Sequence, residues 1–100
     1  MLIMDIEAHR VLVDGDEVDL SLKEFRVLKI FIERPGKLVS RRDIAVRVWD
    51  REDGGKTLDV HMSTLRRKLG DRVAIRTIRR VGYRLDTPAA FAHSDGSEVA

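Results

Sequence analysis

Four apolar residues between positions 56 and 69 recur at helical spacing, and this repeat limits what the chain can fold into more than any other feature. They are Leu58, Met62, Leu65 and Leu69, separated by four, three and four positions. At about 100° per residue they share one side of an α-helix, which must be buried. The opposite side has no acidic residue and presents Lys56, Val60, Ser63, Thr64 and Arg67. A short helix with one apolar edge and a small, polar, cationic outer face fits the major groove of DNA.

Positive charge is concentrated around this helix. Residues 56–84 hold nine Lys or Arg against two Asp or Glu, a net charge of +7 in a chain whose total is +2. Residues 1–55 hold ten against twelve, and residues 85–100 hold none against three. A basic segment of this kind indicates a surface that binds a polyanion. A solvated basic face is the other interpretation of the charge alone.

The composition is that of one small globular domain, with 43% hydrophobic and 36% charged residues in a chain of 100. Cysteine is absent, which excludes disulfide bonds and thiolate metal ligands. The apolar runs are far shorter than the ~18 residues of a membrane span, and no signal-peptide pattern begins the chain, so a cytoplasmic protein is expected. Neither a cluster of metal ligands nor a catalytic arrangement can be identified. We therefore predict no metal, no cofactor and no enzyme activity.

The first half of the chain predicts strands followed by two helices. Residues 2–6 and a hairpin at 11–20 with a glycine turn are strand-like and strongly acidic, which favours a structural or protein-contacting role. Ser21-Leu-Lys-Glu24 has the form of a capping box that starts a helix, which Pro35-Gly36 ends. Ser40 is the predicted N-cap of a second helix that ends near Trp49. The charged, glycine-containing stretch Asp50–Gly55 is predicted to be an exposed loop.

A hairpin follows the basic helix. Gly70 is a predicted C-terminal cap, and residues 73–78 and 83–85 are strand-like. They flank Arg79–Gly82, so the hairpin is a wing whose tip, residues 79–82, carries two adjacent arginines. Such an arm suits a minor groove, where concentrated negative potential attracts arginine. We predict one domain at residues 1–86 and a disordered tail at 87–100.

The order and spacing of several short motifs resemble the winged-helix effector domain of OmpR/PhoB-type response regulators over about residues 2–86. The motifs are Leu20–Phe25, Pro35-Gly36, Ser40-Arg41, Val48-Trp49, Leu58–His61, Leu65–Leu69 and Thr77–Arg84. The resemblance implies an α+β winged helix-turn-helix fold with an N-terminal antiparallel β-sheet, three helices and a C-terminal β-hairpin wing. It also implies that residues 57–69 form the recognition helix of a transcriptional regulator.

The resemblance further implies partners. Members of this family typically bind direct-repeat promoter sites on double-stranded DNA as dimers, and the loop corresponding to Asp50–Gly55 contacts RNA polymerase. A receiver domain, phosphorylated by a sensor kinase, normally precedes the effector domain. It is not within these residues, so the chain is either an excised effector domain or a stand-alone regulator.

Individual DNA contacts are carried over from the family to matching positions. Val60 and Thr64 would lie against base edges, with Ser63 beside them. Because these three side chains are short, specificity would rest more on DNA shape, on Arg67 or on a shorter site. The positions that match contacts to the DNA backbone are Lys56, Thr57, His61, Arg66 and Thr77. At the wing, Arg79 matches a minor-groove arginine, Arg80 adds a cation at the tip, and Tyr83 matches a residue that can reach a phosphate.

Two residues depart from the family pattern. Lys56 stands where arginine is usual, which keeps the charge and loses the bidentate fork. Arg80 stands where glycine is usual, so it either costs about 1 kcal/mol at a positive φ or requires a different turn.

Three neighbouring side chains leave alternatives open. Asp59 should pair with an arginine, either Arg66 or one from the wing. His61 either contacts a phosphate or packs on the wing, and Trp49 either packs at its helix end or stacks on the DNA backbone.

Two other functions compete with DNA binding. A winged-helix domain can be a protein-interaction module, here contacting RNA polymerase or another regulator through the acidic sheet or the Asp50–Gly55 loop. Recognition of structured RNA is disfavoured, because the major groove of A-form RNA is too deep and narrow for a protruding helix.

Overall fold

The structure is a computed structural model that describes residues 1–50 and 55–92. Three helices pack between two small sheets, which confirms the predicted α+β winged-helix fold. The elements in chain order are β1 (Leu2–Asp5), β2 (Arg10–Val13), β3 (Asp16–Val18), α1 (Leu22–Glu33), β4 (Leu38–Ser40), α2 (Arg41–Trp49), α3 (Gly55–Leu69), β5 (Ile75–Ile78), β6 (Gly82–Leu85) and β7 (Ala89–Ala92).

The two sheets have different strand orders. The first has the order β3-β2-β1-β7, in which β1, β2 and β3 form an antiparallel meander. The second has the order β4-β6-β5, so β6 is its central strand and β5 and β6 are the wing hairpin. Strand β4 was not predicted. It is only three residues long, and it depends on pairing with β6 far along the chain.

Side-chain caps begin the first two helices as predicted. The Ser21 hydroxyl accepts from the Glu24 N–H (3.2 Å) and the Glu24 carboxylate accepts from the Ser21 N–H (2.9 Å), which completes the capping box of α1. The Ser40 hydroxyl accepts from the Asp43 N–H (3.0 Å) and caps α2. Helix α3 ends at Leu69, and Gly70 follows it with a φ of +75°, which glycine adopts without strain.

One core joins the helices to both sheets. Helix α1 is its centre, with Phe31 and Leu28 fully buried, and the predicted apolar side of α3 closes it. Leu2 and Met4 of β1 enter the same core from the first sheet, and Leu85 of β6 enters it from the second. The outer face of α3 therefore projects from a fixed platform.

The prediction of a disordered tail from residue 87 is wrong for the part that the structure describes. Strand β7 pairs in parallel with β1, from Leu2 opposite Ala89 to Asp5 opposite Ala92, and the Leu2 N–H donates to the Pro88 carbonyl (3.0 Å). Without β7, the backbone N–H and C=O groups along this edge of β1 would be unpaired. Pairing with them makes residues 89–92 a strand, although the composition of these residues does not favour one. The domain thus extends past residue 86, and residues 93–100 lie outside the described part.

The loop predicted at Asp50–Gly55 falls mainly outside the described residues. Asp50 ends α2 in a left-handed conformation (φ +57°), and Gly55 already belongs to α3, two residues earlier than predicted. Residues 51–54 are not described. None of the described helices has both the length and the hydropathy that a membrane span needs.

Candidate nucleic-acid interface

The outer face of α3 is open to solvent. Leu58, Met62, Leu65 and Leu69 are at most 2% exposed, whereas Val60 on the other side is 60% exposed. Exposed beside Val60 are Lys56, Thr57, Ser63 and Arg67, and Thr64 is half-buried at the margin. An exposed valine with two cations and two hydroxyls around it is a surface of the kind that contacts base edges and phosphates.

The wing tip is exposed as well and carries Arg79, Arg80 and Val81. The Val81 N–H donates to the Ile78 carbonyl (2.9 Å), which closes a turn with Arg79 and Arg80 at its centre. Arg80 has a φ of +65°, and Arg79 does not have a positive φ. The open question about the wing is therefore answered: the backbone keeps a conformation that suits glycine, and an arginine occupies it.

Ion pairing separates the basic residues of 56–84 into two groups. Four are paired with acids: Lys68 with Glu24 (2.7 Å), Arg72 with Asp16 (2.9 Å), Arg84 with Asp86 (2.6 Å) and Arg76 with Asp86 (3.3 Å). Five form no ion pair within residues 1–50 and 55–92, namely Lys56, Arg66, Arg67, Arg79 and Arg80. The cations without an ion pair thus lie on α3 and at the wing tip, where the predicted contacts lie, whereas Arg76 and Arg84 share the single carboxylate of Asp86.

The pair between Glu24 and Lys68 fixes the far end of α3 to α1. Glu24 is only 4% exposed. Burial by itself would raise the pKa of Glu24, but the hydrogen bonds from Lys68 and from the Ser21 N–H outweigh it and hold the pKa below its ordinary value. The carboxylate is therefore charged at neutral pH, and the Lys68 ammonium is directed toward α1.

Arg66 links α3 to the wing. Its Nη2 donates to the Ile75 carbonyl (2.9 Å) and to the Thr77 hydroxyl (2.5 Å), and its guanidinium lies 5.3 Å from the centre of the Tyr83 ring. Its Nε is buried and has no hydrogen-bond partner among the described residues. Arg66 and Thr77, both predicted to contact the DNA backbone, therefore bind each other in the free domain.

Tyr83 is a core residue with a polar end. The side chain is 5% exposed and meets the Phe31 ring edge to face at 6.4 Å, and its hydroxyl accepts from Arg41 Nη1 (3.0 Å). The predicted phosphate contact would therefore have to use the hydroxyl end, which Arg41 already binds. Arg41 itself was given no role from the sequence.

Arg41 supplies the partner of Asp59. Arg41 Nη1 donates to the Asp59 carboxylate at 2.7 Å, so the expected pairing of Asp59 with Arg66 or a wing arginine is wrong. The hydrogen bond to Asp59 is the main reason that the pKa of Arg41 is raised above its ordinary value. The only sequence signal was the single acid on α3, and nothing in the sequence identified its partner.

His61 packs against α2 rather than against the wing. Its ring meets the Trp49 ring edge to face at 5.0 Å, and its Nδ1 lies 2.8 Å from the Thr57 carbonyl. Because a carbonyl oxygen can only accept, Nδ1 carries the proton. Trp49 is half-buried against the core, with Lys23 Nζ 5.9 Å from its ring centre, so it packs at the helix end.

Nothing in the described residues suggests a metal centre in place of this surface. No three His, Asp or Glu side chains within residues 1–50 and 55–92 are grouped so that they could hold a metal ion.

Comparisons with known proteins agree with this geometry. Residues 15–85 match the family described as "Transcriptional regulatory protein, C terminal". The response regulator protein PmrA of Pseudomonas aeruginosa is 36% identical over 88 residues, which cover 86% of this chain and 39% of PmrA. The chain thus spans about two fifths of the length of the curated relatives it matches.

Solved structures of similar domains share the fold. The DNA-binding domain of Bacillus subtilis CssR has a TM-score of 0.73 and 32% identity, over 85% of this chain and 99% of that one. The Klebsiella pneumoniae RstA DNA-binding domain, solved in complex with the RstA box, has a TM-score of 0.76 and 27% identity, over 83% and 88%. Together with the family match, these likenesses show that the chain belongs to the C-terminal domains of transcriptional regulatory proteins, as an effector domain of the OmpR/PhoB type.

Proposed function

We propose that this domain binds double-stranded DNA in a sequence-specific manner, with α3 in the major groove and the wing tip at the adjacent minor groove. The observation that carries the proposal is the position of the cations that form no ion pair with a described residue. Within residues 56–84 these cations lie on α3 and at the wing tip, and they are Lys56, Arg66, Arg67, Arg79 and Arg80. A helix of 15 residues is ~22 Å long, which suits one passage through a major groove.

The contacts divide into base readout and phosphate binding. Val60, Ser63 and Thr64 would face base edges, and Arg67 reaches further from the same face. The groups proposed for the DNA backbone are Lys56, Thr57, His61, Arg66, Thr77 and Tyr83. Arg79 and Arg80 would enter the minor groove, where narrow A·T-rich stretches attract guanidinium groups.

Membership of the family supports a proposal about the wider setting. We propose that the domain works in the cytoplasm within a longer regulator, joined to a receiver domain that a sensor kinase phosphorylates. Two copies would occupy direct-repeat half-sites at a promoter, and the Asp50–Gly55 loop would contact RNA polymerase.

The test begins with selection of bound sequences from a random DNA pool at moderate salt. We expect a defined half-site and, with it, a spacing between repeats. On the selected site, Arg79→Ala should weaken binding to related and unrelated sequences alike and lower the salt slope by about 1. Thr64→Ala should instead change the preference at one base position.

Arg10→Ala is the charge-matched control, because it removes one arginine from the N-terminal sheet, where Arg10 pairs with Glu17 at 3.8 Å. This variant should leave the salt slope unchanged. If Arg10→Ala and Arg79→Ala lower the affinity for DNA and the salt slope equally, the binding is not localised to the wing. No enrichment of any sequence, with retained binding to RNA polymerase subunits, would overturn the proposal in favour of a protein-interaction module.

A further inference from the structure

Arg41 joins three elements that the proposed interface needs in one arrangement. It is the first residue of α2, directly after the N-cap. Its Nη1 donates to Asp59 on α3 (2.7 Å) and to the Tyr83 hydroxyl on β6 (3.0 Å), and its Nη2 lies 3.4 Å from the Gly55 carbonyl at the start of α3. One guanidinium group therefore holds the beginning of the recognition helix and the base of the wing.

These contacts continue without a break to the other side of the wing. The Arg66 guanidinium lies over the ring of Tyr83 at 5.3 Å and donates to the Thr77 hydroxyl on β5. One chain of contacts thus runs from α3 through α2 to β6, and from there back to α3 and on to β5. Its members in that order are Asp59, Arg41, Tyr83, Arg66 and Thr77. We name these five residues the α3–wing seam.

The seam has a rigid reference point. Tyr83 is almost fully buried and packs on Phe31 of α1, so its hydroxyl is fixed relative to the core. Strands β6 and β4 approach each other closely at Gly82, and only a residue without a β-carbon fits there. A β-carbon at this position would lie 2.1 Å from the Val39 carbonyl oxygen. This close approach sets the Tyr83 hydroxyl beside the first turn of α2, within reach of Arg41.

Two properties of arginine suit this position. Its planar, fixed donors can serve acceptors on two elements at once, which a lysine ammonium does less well. It also offsets the charge of Asp59, the only acid on α3, whose side chain is 57% exposed and would otherwise repel phosphate.

We propose that Arg41 is a positioning residue that sets the angle between the recognition helix and the wing, so that the major-groove and minor-groove contacts are made together. Arg41 acts through Asp59 and Tyr83 and touches no base. This inference rests on the proposed function. The inference goes beyond that function in one statement: the wing contributes fully to DNA binding only when Arg41 is in place.

A double-mutant cycle measures that dependence. On the selected DNA site, Arg79→Ala should weaken binding about tenfold in the parent domain and only about threefold when Arg41→Gln is already present. The matched control is Arg47→Gln, since Arg47 lies on the same helix and bonds Glu33 of α1 at 3.3 Å. In that background the effect of Arg79→Ala should stay about tenfold. Equal effects of Arg79→Ala in the Arg41→Gln and parent backgrounds would overturn the proposal.

Adding Asp59→Asn separates positioning from charge. In the Arg41→Gln background it removes the unpaired carboxylate, so affinity should rise in part while the wing still contributes only about threefold. Recovery of the full tenfold contribution would mean that Arg41 only masks a charge, and the positioning role would be wrong. Arg41→Lys should restore affinity in part and the wing contribution little, because the ammonium keeps the charge without the fork.

A measurement without DNA distinguishes this inference from the proposed function. Backbone residual dipolar couplings of α3 and of β5 and β6 should fit one common orientation in the parent and in Arg47→Gln. In Arg41→Gln the couplings of α3 should no longer fit the orientation given by β5 and β6, because the hairpin is fixed to the core through Tyr83 whereas the start of α3 loses its bonds to Arg41. An unchanged orientation of α3 overturns the positioning role whatever the DNA result. If α3 changes its orientation in Arg41→Gln but the parent domain binds no DNA, the proposed function alone is overturned.

Discussion

Replacing Arg80 by glycine should make the domain more stable and its binding to DNA weaker. Arg80 has a φ of +65° at the third residue of the wing turn. An L-residue in this region costs about 1–2 kcal/mol. Glycine avoids that cost, but its greater freedom in the unfolded chain offsets about 0.5–1 kcal/mol. The expected net gain in the free energy of unfolding lies between about 0 and 1.5 kcal/mol and centres on about 0.75 kcal/mol, which is roughly 3–6 °C in Tm for a domain of this size.

Binding changes in the other direction because Arg80 is an exposed cation without an ion pair to any described residue. If its guanidinium neutralises one phosphate, Arg80→Gly removes about one unit from the slope of log K against log salt. The affinity at moderate salt should then fall by about three- to tenfold. Urea or thermal unfolding measures the first effect, and fluorescence anisotropy at several salt concentrations measures the second.

Neighbouring substitutions serve as controls. Arg79→Gly removes the same charge where φ is not positive, so it relieves no strain and should destabilise the domain by about 0.5–1 kcal/mol. Arg80→Lys keeps the charge and the strain, so both properties should stay near those of the parent. A lower free energy of unfolding for Arg80→Gly would refute the strain argument. An unchanged salt slope would show that Arg80 reaches no phosphate.

Two further predictions concern stability. Gly82→Ala should lower the free energy of unfolding by about 3 kcal/mol, because the added carbon would meet the Val39 carbonyl oxygen at 2.1 Å; an unchanged urea midpoint would contradict this. The pKa of Glu24 is lowered in the folded state, so its contribution is present above the ordinary glutamate pKa of about 4.3 and is lost as the pH falls. Glu24→Gln should therefore cost about 1–3 kcal/mol at pH 7, and urea titrations of the two proteins should converge below about pH 4.

The sequence predicts the helices well because their signals are local. Ser21 and Glu24 meet within one turn, and Ser40 needs only the N–H of Asp43. The apolar repeat of α3 is likewise contained in the helix itself. Such features depend on residues three or four positions apart, so neither the sheets nor the other helices have to be known to find them.

The strands that were missed depend on distant partners. Leu38–Ser40 becomes a strand because β6 offers its edge more than forty positions along the chain, from Leu38 opposite Arg84 to Ser40 opposite Gly82. The composition of Ala89–Ala92 does not favour a strand. The segment is extended because it pairs with an edge of β1 that no other strand occupies. Short strands of this kind are determined by the sheet that receives them, and their own residues carry little signal.

The charge pattern shows most clearly where inference from sequence ends. A net charge of +7 over residues 56–84 indicates the right region, but it does not show which cations remain available. Lys68 is neutralised by Glu24, 44 positions away, and Arg72 by Asp16, 56 positions away. Arg41, outside the basic segment, is meanwhile drawn to Asp59 inside it. Because these pairs form only when the elements pack, the cations that face a ligand are a property of the tertiary structure, and so is the residue that holds them in position.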